Sequence, residues 1–288
     1  MFHLVLAKVW TLAALSVFAA GYAGIWYRSL SRKGGVPAPS MAEMITGLVT
    51  NFFDALGIGS FATTTSVFKF TGMVDDELIP GTLNVGHTLP VILQAFIYIS
   101  VIEVDPATLV PMIAGATVGA WFGAGWVAGL PQRQVRIGVA CALLIAFLAM
   151  LARQLELYPA GGATLGLSGG KLVFAVAANA LIGAISTLGI GVYAPSMTLV
   201  SLLGMNPVAA FPIMMGSGAF LMPVASTRFV LREAYSPRVA LGLTLGGLVG
   251  VPIAAFLVQS LPLDAVRWLV QLIVLYAAQA MLRSAFQR

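Results

Sequence analysis

The sequence predicts an all-α membrane protein with several transmembrane helices arranged as two related repeats. Hydrophobic residues make up 59% of the chain and charged residues 9%, whereas a typical soluble domain contains about 25% charged residues. Most apolar runs reach the length of about 20 residues that a helix needs to cross a membrane. The two halves of the chain also share a framework of glycine, proline and arginine residues. These three observations favour a polytopic bundle without a large domain outside the bilayer.

The first apolar run, residues 4–27, is predicted to be a retained transmembrane helix. It is too long for the core of a signal peptide, and no convincing cleavage site follows it. Together with the basic loop after it, this run forms the segment 1–39. Lysine and arginine outnumber aspartate and glutamate by 15 to 10, and such an excess is typical of cytoplasmic loops. We therefore do not expect the chain to bind nucleic acid.

Eight further apolar runs are separated by short polar segments. The runs lie at 41–71, 78–101, 107–129, 134–152, 171–203, 207–230, 237–259 and 264–284. A glycine-rich linker, 154–170, separates repeat 1 (40–153) from repeat 2 (171–288). Each repeat begins with a run that is too long for one straight span, and three runs of ordinary length follow it.

The two repeats carry the same motifs in the same order. The motif Leu-Gly-Ile-Gly at 56–59 recurs at 188–191, and the pair Gly115 and Gly119 recurs as Gly246 and Gly250. Glycines four residues apart lie on one face of a helix and allow a neighbouring helix to approach closely. These pairs are predicted to pack helices within the chain, and a homodimer contact is the alternative.

The long run at the start of each repeat contains the Gly-Ile-Gly motif near its middle, which predicts a broken helix. One interpretation is a tilted helix that crosses the membrane, and the other is a re-entrant hairpin of two half-helices that enters and leaves on one side. The hairpin leaves most basic loop residues on one side and is therefore favoured by the positive-inside rule. Each repeat then has one hairpin and three spans, an odd number of crossings that gives the repeats inverted orientations.

The two breaks are the predicted substrate site. A helix broken inside the membrane exposes backbone N–H and C=O groups, and the N-terminus of the half-helix after the break carries a partial positive charge that suits an anion. The alternative is that the glycines only permit close packing and the hydroxyl groups only cap helices. The candidate binding residues lie in the breaks and in the helices after them: Gly57, Gly59, Ser60, Thr63, Thr64, Asn84, His87, Gly189, Gly191, Tyr193, Ser196 and Ser217.

Asp54 is the one acidic residue deep inside an apolar run. A charged group in the membrane is costly and points to a function, so Asp54 is a candidate proton carrier. The alternative is a structural cap on the broken helix, a role for which its counterpart in repeat 2, Ser186, is also suited. Arg228 lies near the end of its run and is assigned to the membrane interface, with anion binding as the alternative.

Catalysis and cofactor binding are not expected. The chain contains one cysteine, Cys141, and two histidines, His3 and His87, which exclude a cysteine or histidine cluster for a metal ion. The sequence also lacks the motifs of nucleotide-binding proteins and hydrolases. We therefore expect a protein that is not an enzyme and whose partners are a small anion and the lipid bilayer.

The segment 54–66 with its Leu-Gly-Ile-Gly-Ser-Phe-Ala core, the segment 80–87 and the duplication resemble the TauE/SafE sulfite exporter family, also called the toluene sulfonate uptake permease family. The resemblance covers residues 40–285. It implies a secondary transporter, an exporter or a permease, for sulfur-containing anions such as sulfite or organosulfonates in the bacterial inner membrane.

The residues and the resemblance together predict alternating access, with the anion at the paired half-helix ends near mid-membrane and the C-terminus in the cytoplasm. A passive anion channel and a transporter of another small organic anion are the alternatives.

Overall fold

The computed structural model describes residues 2–257, except 33, 36, 57–58, 128, 158–161, 188–191 and 207–208, and also positions 275, 278–279, 282–283 and 286. The described residues form ten α-helices and a short 3-10 helix (Asp76–Leu78), and they include no β-strand. The helices are α1 (Phe2–Arg32), α2 (Met41–Ala55), α3 (Ser60–Thr71), α4 (Ile79–Val101), α5 (Pro106–Val127), α6 (Gln132–Gln154), α7 (Gly169–Ile185), α8 (Tyr193–Leu202), α9 (Ala210–Leu231) and α10 (Pro237–Leu257). The predicted last run, 264–284, lies almost entirely outside the described residues.

Five of these helices are long and apolar enough to cross a membrane: α1, α4, α5, α9 and α10. Large apolar side chains such as Phe122 and Trp126 are 71% and 65% exposed, as expected for a surface that faces lipid rather than water. The chain is therefore an all-α, multi-pass membrane protein, and the sequence prediction of this class is confirmed.

Local signals set the ends of the two half-helices in repeat 1. The Ser40 hydroxyl accepts a hydrogen bond from the Glu43 N–H (3.3 Å), and the Glu43 carboxylate accepts one from the Ser40 N–H (2.6 Å), so α2 begins with a capping box. Gly59 precedes α3 with a φ of 94°, and Gly72 follows it with a φ of 63°, conformations that favour glycine. The predicted break thus lies between Ala55 and Ser60.

Helices α2 and α10 run in the same direction from one end of the bundle, which we call the basic end. At this end the Arg238 guanidinium lies 3.3 Å from the Glu43 carboxylate, which joins the starts of the two helices. Further along, Ala55 and Ala254 belong to the same buried cluster. The first half of the broken helix in repeat 1 therefore lies along a helix of repeat 2.

Helix α4 also begins at the basic end and runs parallel to α10. The Ser236 N–H donates to the Thr82 hydroxyl (2.9 Å), and deeper in the bundle the Thr244 hydroxyl donates to the Gly86 carbonyl (2.8 Å). Helix α4 lies against α9 as well as α10, which places it at the centre of the bundle.

Helix α3 runs back to the basic end. Near its last turn the Lys69 ammonium lies 2.7 Å from the Asp76 carboxylate, and the same carboxylate lies 2.9 Å from the Arg136 guanidinium at the start of α6. Because α4 begins just after Asp76, the start of α2 and the end of α3 lie at the same end of the bundle.

The start of α7 and the end of α8, the two half-helices of repeat 2, lie at the opposite end of the bundle. The Leu167 N–H donates to the Thr108 hydroxyl (2.7 Å), which joins the approach to α7 with the start of α5. After α8, the Met205 carbonyl accepts from the Gly162 N–H (2.9 Å), which returns the chain to the approach to α7. The second broken helix thus begins and ends at the end of the bundle opposite to that of the first.

The predicted glycine pairs lie at two equivalent helix contacts within the chain. A Cβ added at Gly119 of α5 would lie 1.8 Å from the Ala180 carbonyl oxygen of α7, and one added at Gly250 of α10 would lie 2.2 Å from the Leu48 oxygen of α2. The preceding glycines repeat the pattern, with Gly115 against Val176 and Gly246 against Met44. Each repeat therefore packs a glycine-lined helix against the broken helix of the other repeat, as predicted for packing within the chain.

Candidate functional site

The carboxylate of Asp54 caps the start of the second half-helix, α3, at the first break. One oxygen, Oδ1, accepts a hydrogen bond from the N–H of Ser60, which is the first residue of α3 (2.6 Å), and Oδ2 accepts one from the Gln94 side chain (2.8 Å). Asp54 is 2% exposed. The carboxylate therefore occupies the positive N-terminal end of the second half-helix and satisfies a backbone donor that the break leaves open.

Helix α4 also provides a hydrogen-bond donor for a backbone carbonyl in the last turn of α2. The Tyr98 hydroxyl donates to the Ala55 carbonyl (2.6 Å), one turn beyond Gln94. Gln94 is fully buried. We did not predict Gln94 or Tyr98 as site residues, although an amide inside the apolar run 78–101 is the same kind of signal that drew attention to Asp54.

A buried polar bridge links the three helices of repeat 1 around the break. The His87 ring on α4 lies 3.1 Å from the Asn51 oxygen through Nδ1 and 3.0 Å from the Thr64 hydroxyl through Nε2. The Asn51 amide nitrogen donates to the Gly47 carbonyl (2.8 Å), which turns its oxygen toward the ring. A neutral ring with its hydrogen on Nδ1 satisfies both neighbours, since Nε2 then accepts from Thr64.

Repeat 2 has a buried polar bridge of its own, centred on Asn179 of the first half-helix, α7. The Asn179 oxygen accepts from the Ser196 hydroxyl (2.9 Å), and its nitrogen donates to the Ser217 hydroxyl (3.0 Å) and to the Met112 carbonyl (2.8 Å). Ser196 occupies the position of Thr64 in the duplication. The structure thus brings the predicted residues Thr64 with His87 and Ser196 with Ser217 into bridges, and it adds the asparagines Asn51 and Asn179, which sequence reasoning missed.

The second break lacks a carboxylate at the position of Asp54. Its counterpart, Ser186, donates its hydroxyl to the Gly183 carbonyl of its own helix (2.8 Å). At this break the Thr187 carbonyl instead accepts from the Asn84 amide of α4 (3.3 Å). The Asn84 oxygen is buried and has no hydrogen-bond partner among the described residues.

Both breaks therefore lie against α4, but at different heights. Asn84 contacts the second break and Gln94 the first, and ten residues of α-helix correspond to a rise of about 15 Å. The face of α4 between them carries His87 and also Thr88, whose hydroxyl lies 2.8 Å from that of Ser226 on α9. This buried polar face between the two breaks is the candidate site.

The remaining predicted residues either bond only within their own helix or lie outside the described part of the chain. The Thr63 hydroxyl donates to the Gly59 and Ser60 carbonyls (3.0 and 2.9 Å), so it caps its own turn. Gly57, Gly189, Gly191 and the side chain of Tyr193 are among the positions that the structure does not describe.

The polar groups of the site are amides, hydroxyls, one imidazole and one carboxylate. Among the described residues, no group of three or more histidine, cysteine, aspartate or glutamate side chains is placed to hold a metal ion. No family model, curated protein or solved structure matches the chain.

Proposed function

We propose that the chain is a secondary transporter that moves a small sulfur-containing anion by alternating access. The observation that carries the proposal is the pair of broken helices, inserted from opposite ends and each packed against a glycine-lined helix of the other repeat. Such duplicated, discontinuous helices are a recurrent plan of secondary transporters. The sulfur-containing class rests on the sequence resemblance alone, and the proposal assigns no covalent chemistry and no cofactor to the chain.

Two re-entrant hairpins in inverted repeats are the topology we propose. For the first hairpin, four residues separate α3 from the 3-10 helix before α4. Four residues span at most about 14 Å, which is too short to recross a hydrocarbon core of about 30 Å. The contacts of Lys69, Asp76 and Arg136 at the basic end support the same arrangement. The positive-inside rule assigns the basic end to the cytoplasm of a bacterial inner membrane.

The anion is proposed to bind at the half-helix ends, along the face of α4 between the two breaks. At α8 the first turn offers backbone N–H donors and no carboxylate occupies the counterpart position. At α3, however, the Ser60 N–H is already bonded to Asp54. An anion can therefore use the α3 end only if the Asp54 carboxylate leaves it or loses its charge.

This competition makes Asp54 the proposed coupling residue. A protonated Asp54 no longer repels an incoming anion, so proton uptake and anion binding favour each other. The groups that face Asp54 include the amide of Gln94 and, one turn further, the phenol of Tyr98. The sign follows directly: anion binding strengthens as pH falls and Asp54 becomes protonated.

Counterflow in liposomes tests the transport proposal. Purified protein is reconstituted with unlabelled sulfite inside, and uptake of labelled sulfite is measured against empty vesicles. A carrier gives faster uptake into preloaded vesicles, whereas a passive channel gives no such acceleration. The same assay with thiosulfate, an organosulfonate, sulfate and acetate ranks the substrates. Acceleration by acetate and by none of the sulfur-containing anions would assign transport to another class of anion.

A binding measurement separates failure of transport from failure of the site. Thermal unfolding of the detergent-solubilised protein is followed with the same anions, because a ligand that binds only the folded state raises the unfolding temperature. Stabilisation by none of them would contradict the anion site itself.

A further inference from the structure

Two arginines stand one helical turn apart at the basic end of α9, away from the two breaks. The Arg228 guanidinium lies over the Trp121 ring of α5, 3.5 Å from its centroid. Arg232 donates a hydrogen bond to the Gly125 carbonyl, also on α5. The C-terminal ends of α5 and α9 thus hold two cationic groups side by side.

Arg228 is only partly satisfied by these contacts. Its Nε is buried and has no hydrogen-bond partner among the described residues, although a guanidinium carries five N–H donors. Two acids at the basic end are paired with other cations, Asp76 with Lys69 and Arg136, and Glu43 with Arg238. The Trp121 ring holds the guanidinium carbon of Arg228 against α5, and the terminal N–H groups of Arg228 remain for an acceptor from outside the chain.

The surroundings of the two arginines identify that acceptor. Phe122 and Trp126, on the same stretch of α5, are 71% and 65% exposed, so this surface faces the membrane. Helices α5 and α9 both end at this level, where a spanning helix reaches the lipid headgroups and where aromatic residues form interface belts. Basic pockets between helices on the cytoplasmic side are known to bind anionic headgroups.

We propose that Arg228, Arg232 and Trp121 form a binding site for the phosphate of an anionic phospholipid. A phosphodiester accepts two parallel N–H bonds from a guanidinium, and the acyl chains then lie along Phe122 and Trp126. The site is on the outer surface of the bundle and is independent of the proposed transport path.

Lipid binding to the detergent-solubilised protein tests the proposal. Phosphatidylglycerol, phosphatidylcholine, inorganic phosphate and sulfite are added separately, and native mass spectrometry and thermal unfolding are recorded. We expect phosphatidylglycerol to bind and to raise the unfolding temperature more than the other three. Each of Arg228→Gln and Arg232→Gln is expected to weaken phosphatidylglycerol binding about fivefold, the ratio that one basic residue contributes near an anionic surface.

Arg28→Gln is the matched control, because Arg28 is an exposed arginine near the end of α1 at the same end of the bundle. It should leave phosphatidylglycerol binding unchanged. Equal effects of phosphatidylcholine, stronger binding of free phosphate or sulfite than of lipid, or unaltered lipid binding in both arginine variants would each overturn the proposal. If Arg228→Gln does not fold, Arg232→Gln still decides the outcome.

Discussion

The two broken helices share a packing surface but differ in the polar groups that close their breaks. Gly119 against Ala180 in one contact corresponds to Gly250 against Leu48 in the other. In contrast, Asp54 places a carboxylate on the half-helix of repeat 1, whereas Ser186 of repeat 2 bonds back to its own helix. The two repeats thus share their backbone contacts and differ in the polar groups at their breaks.

This difference indicates which part of the site is structural and which part is adjustable. A glycine whose Cβ would overlap a backbone oxygen has no substitute, so both repeats retain it. Each repeat has a polar bridge to its second half-helix, but the central residue lies on a different helix, His87 on α4 in one and Asn179 on α7 in the other. We infer that the bridges fix each break against its neighbours, and that Asp54 makes the first break sensitive to protons.

The largest effect is expected when a side chain is added at the duplicated helix contacts. Gly119→Ala and Gly250→Ala would place a Cβ 1.8 and 2.2 Å from a backbone oxygen, so each pair of helices must separate. We expect each change to lower the free energy of unfolding by about 3 kcal/mol or more. Thermal and denaturant unfolding in detergent measure the loss.

The control for these changes is Gly125→Ala on the same helix as Gly119. Its added Cβ would meet its nearest atom, in Arg228, at 3.9 Å, which is ordinary contact, so stability should hardly change. A severe loss for Gly119→Ala with none for Gly250→Ala would show that the two contacts are not equivalent.

Asp54→Asn and Ser186→Ala compare the counterpart residues of the two breaks. In Asp54→Asn the amide oxygen can still accept a hydrogen bond from the Ser60 N–H. The amide nitrogen that replaces the second oxygen cannot accept one from Gln94, and the side chain has lost its charge. We expect a loss of about 1–3 kcal/mol from the lost hydrogen bond of the buried Gln94 amide and transport that no longer varies with pH. Ser186→Ala should retain the pH dependence, because it removes only the hydroxyl bond to the Gly183 carbonyl in the last turn of α7.

The two variants are compared by measuring transport in liposomes at a series of pH values. The amount and the orientation of the protein are matched between samples. An unchanged pH profile in Asp54→Asn would remove its coupling role and leave the cap as its only function.

A more limited effect, on stability alone and not on the pH dependence of transport, is expected from the hydroxyls that occupy equivalent positions in the two bridges. Thr64→Val removes the donor to the His87 ring, and Ser196→Ala removes the donor to the Asn179 oxygen. Each change leaves one buried acceptor without a partner, which costs about 1–3 kcal/mol. Thr71→Val is the control, because this exposed hydroxyl bonds only the Val67 carbonyl of its own helix. Unfolding temperatures that do not distinguish these variants from the control would show that the bridges contribute little to stability.

The positions of the helices were predictable because length and charge limit a membrane span. The run predicted at 78–101 corresponds to Ile79–Val101, and the run at 237–259 corresponds to Pro237–Leu257. The break predicted from the Gly-Ile-Gly motif lies between Ala55 and Ser60. In these cases the helix length and the position of the break depend on neighbouring residues in the chain, so one sequence is enough to predict them.

The partners of the site residues were not predictable in the same way. The spacing of Gly115 and Gly119 indicates that another helix approaches, but not that α7 is that helix. The pairing of Asp54 with Gln94 depends on how α4 lies beside the break, forty residues further along the chain. The buried amides of Asn51 and Asn179 carried the same signal as Asp54, a polar group inside an apolar run, and this signal extends to uncharged residues.

The smallest effect is expected at the basic end, where repeat 1 has an ion-pair cluster whose counterpart positions in repeat 2 are uncharged. Asp76 lies 2.7 Å from Lys69 and 2.9 Å from Arg136, whereas the counterparts of Lys69 and Asp76 in repeat 2 are Ser201 and Val208.

We expect Asp76→Asn to cost about 1 kcal/mol, because partly exposed ion pairs contribute little each and two are lost together. The loss should shrink at high salt, since the screening length falls from about 10 Å at 0.1 M to about 3 Å at 1 M. Asp75→Asn, at the exposed neighbour, is the matched control and should change stability less. A loss for Asp76→Asn that is equally large at both salt concentrations would show that the carboxylate acts through packing rather than charge. Charge would then not be the property that distinguishes this end of repeat 1 from the corresponding part of repeat 2.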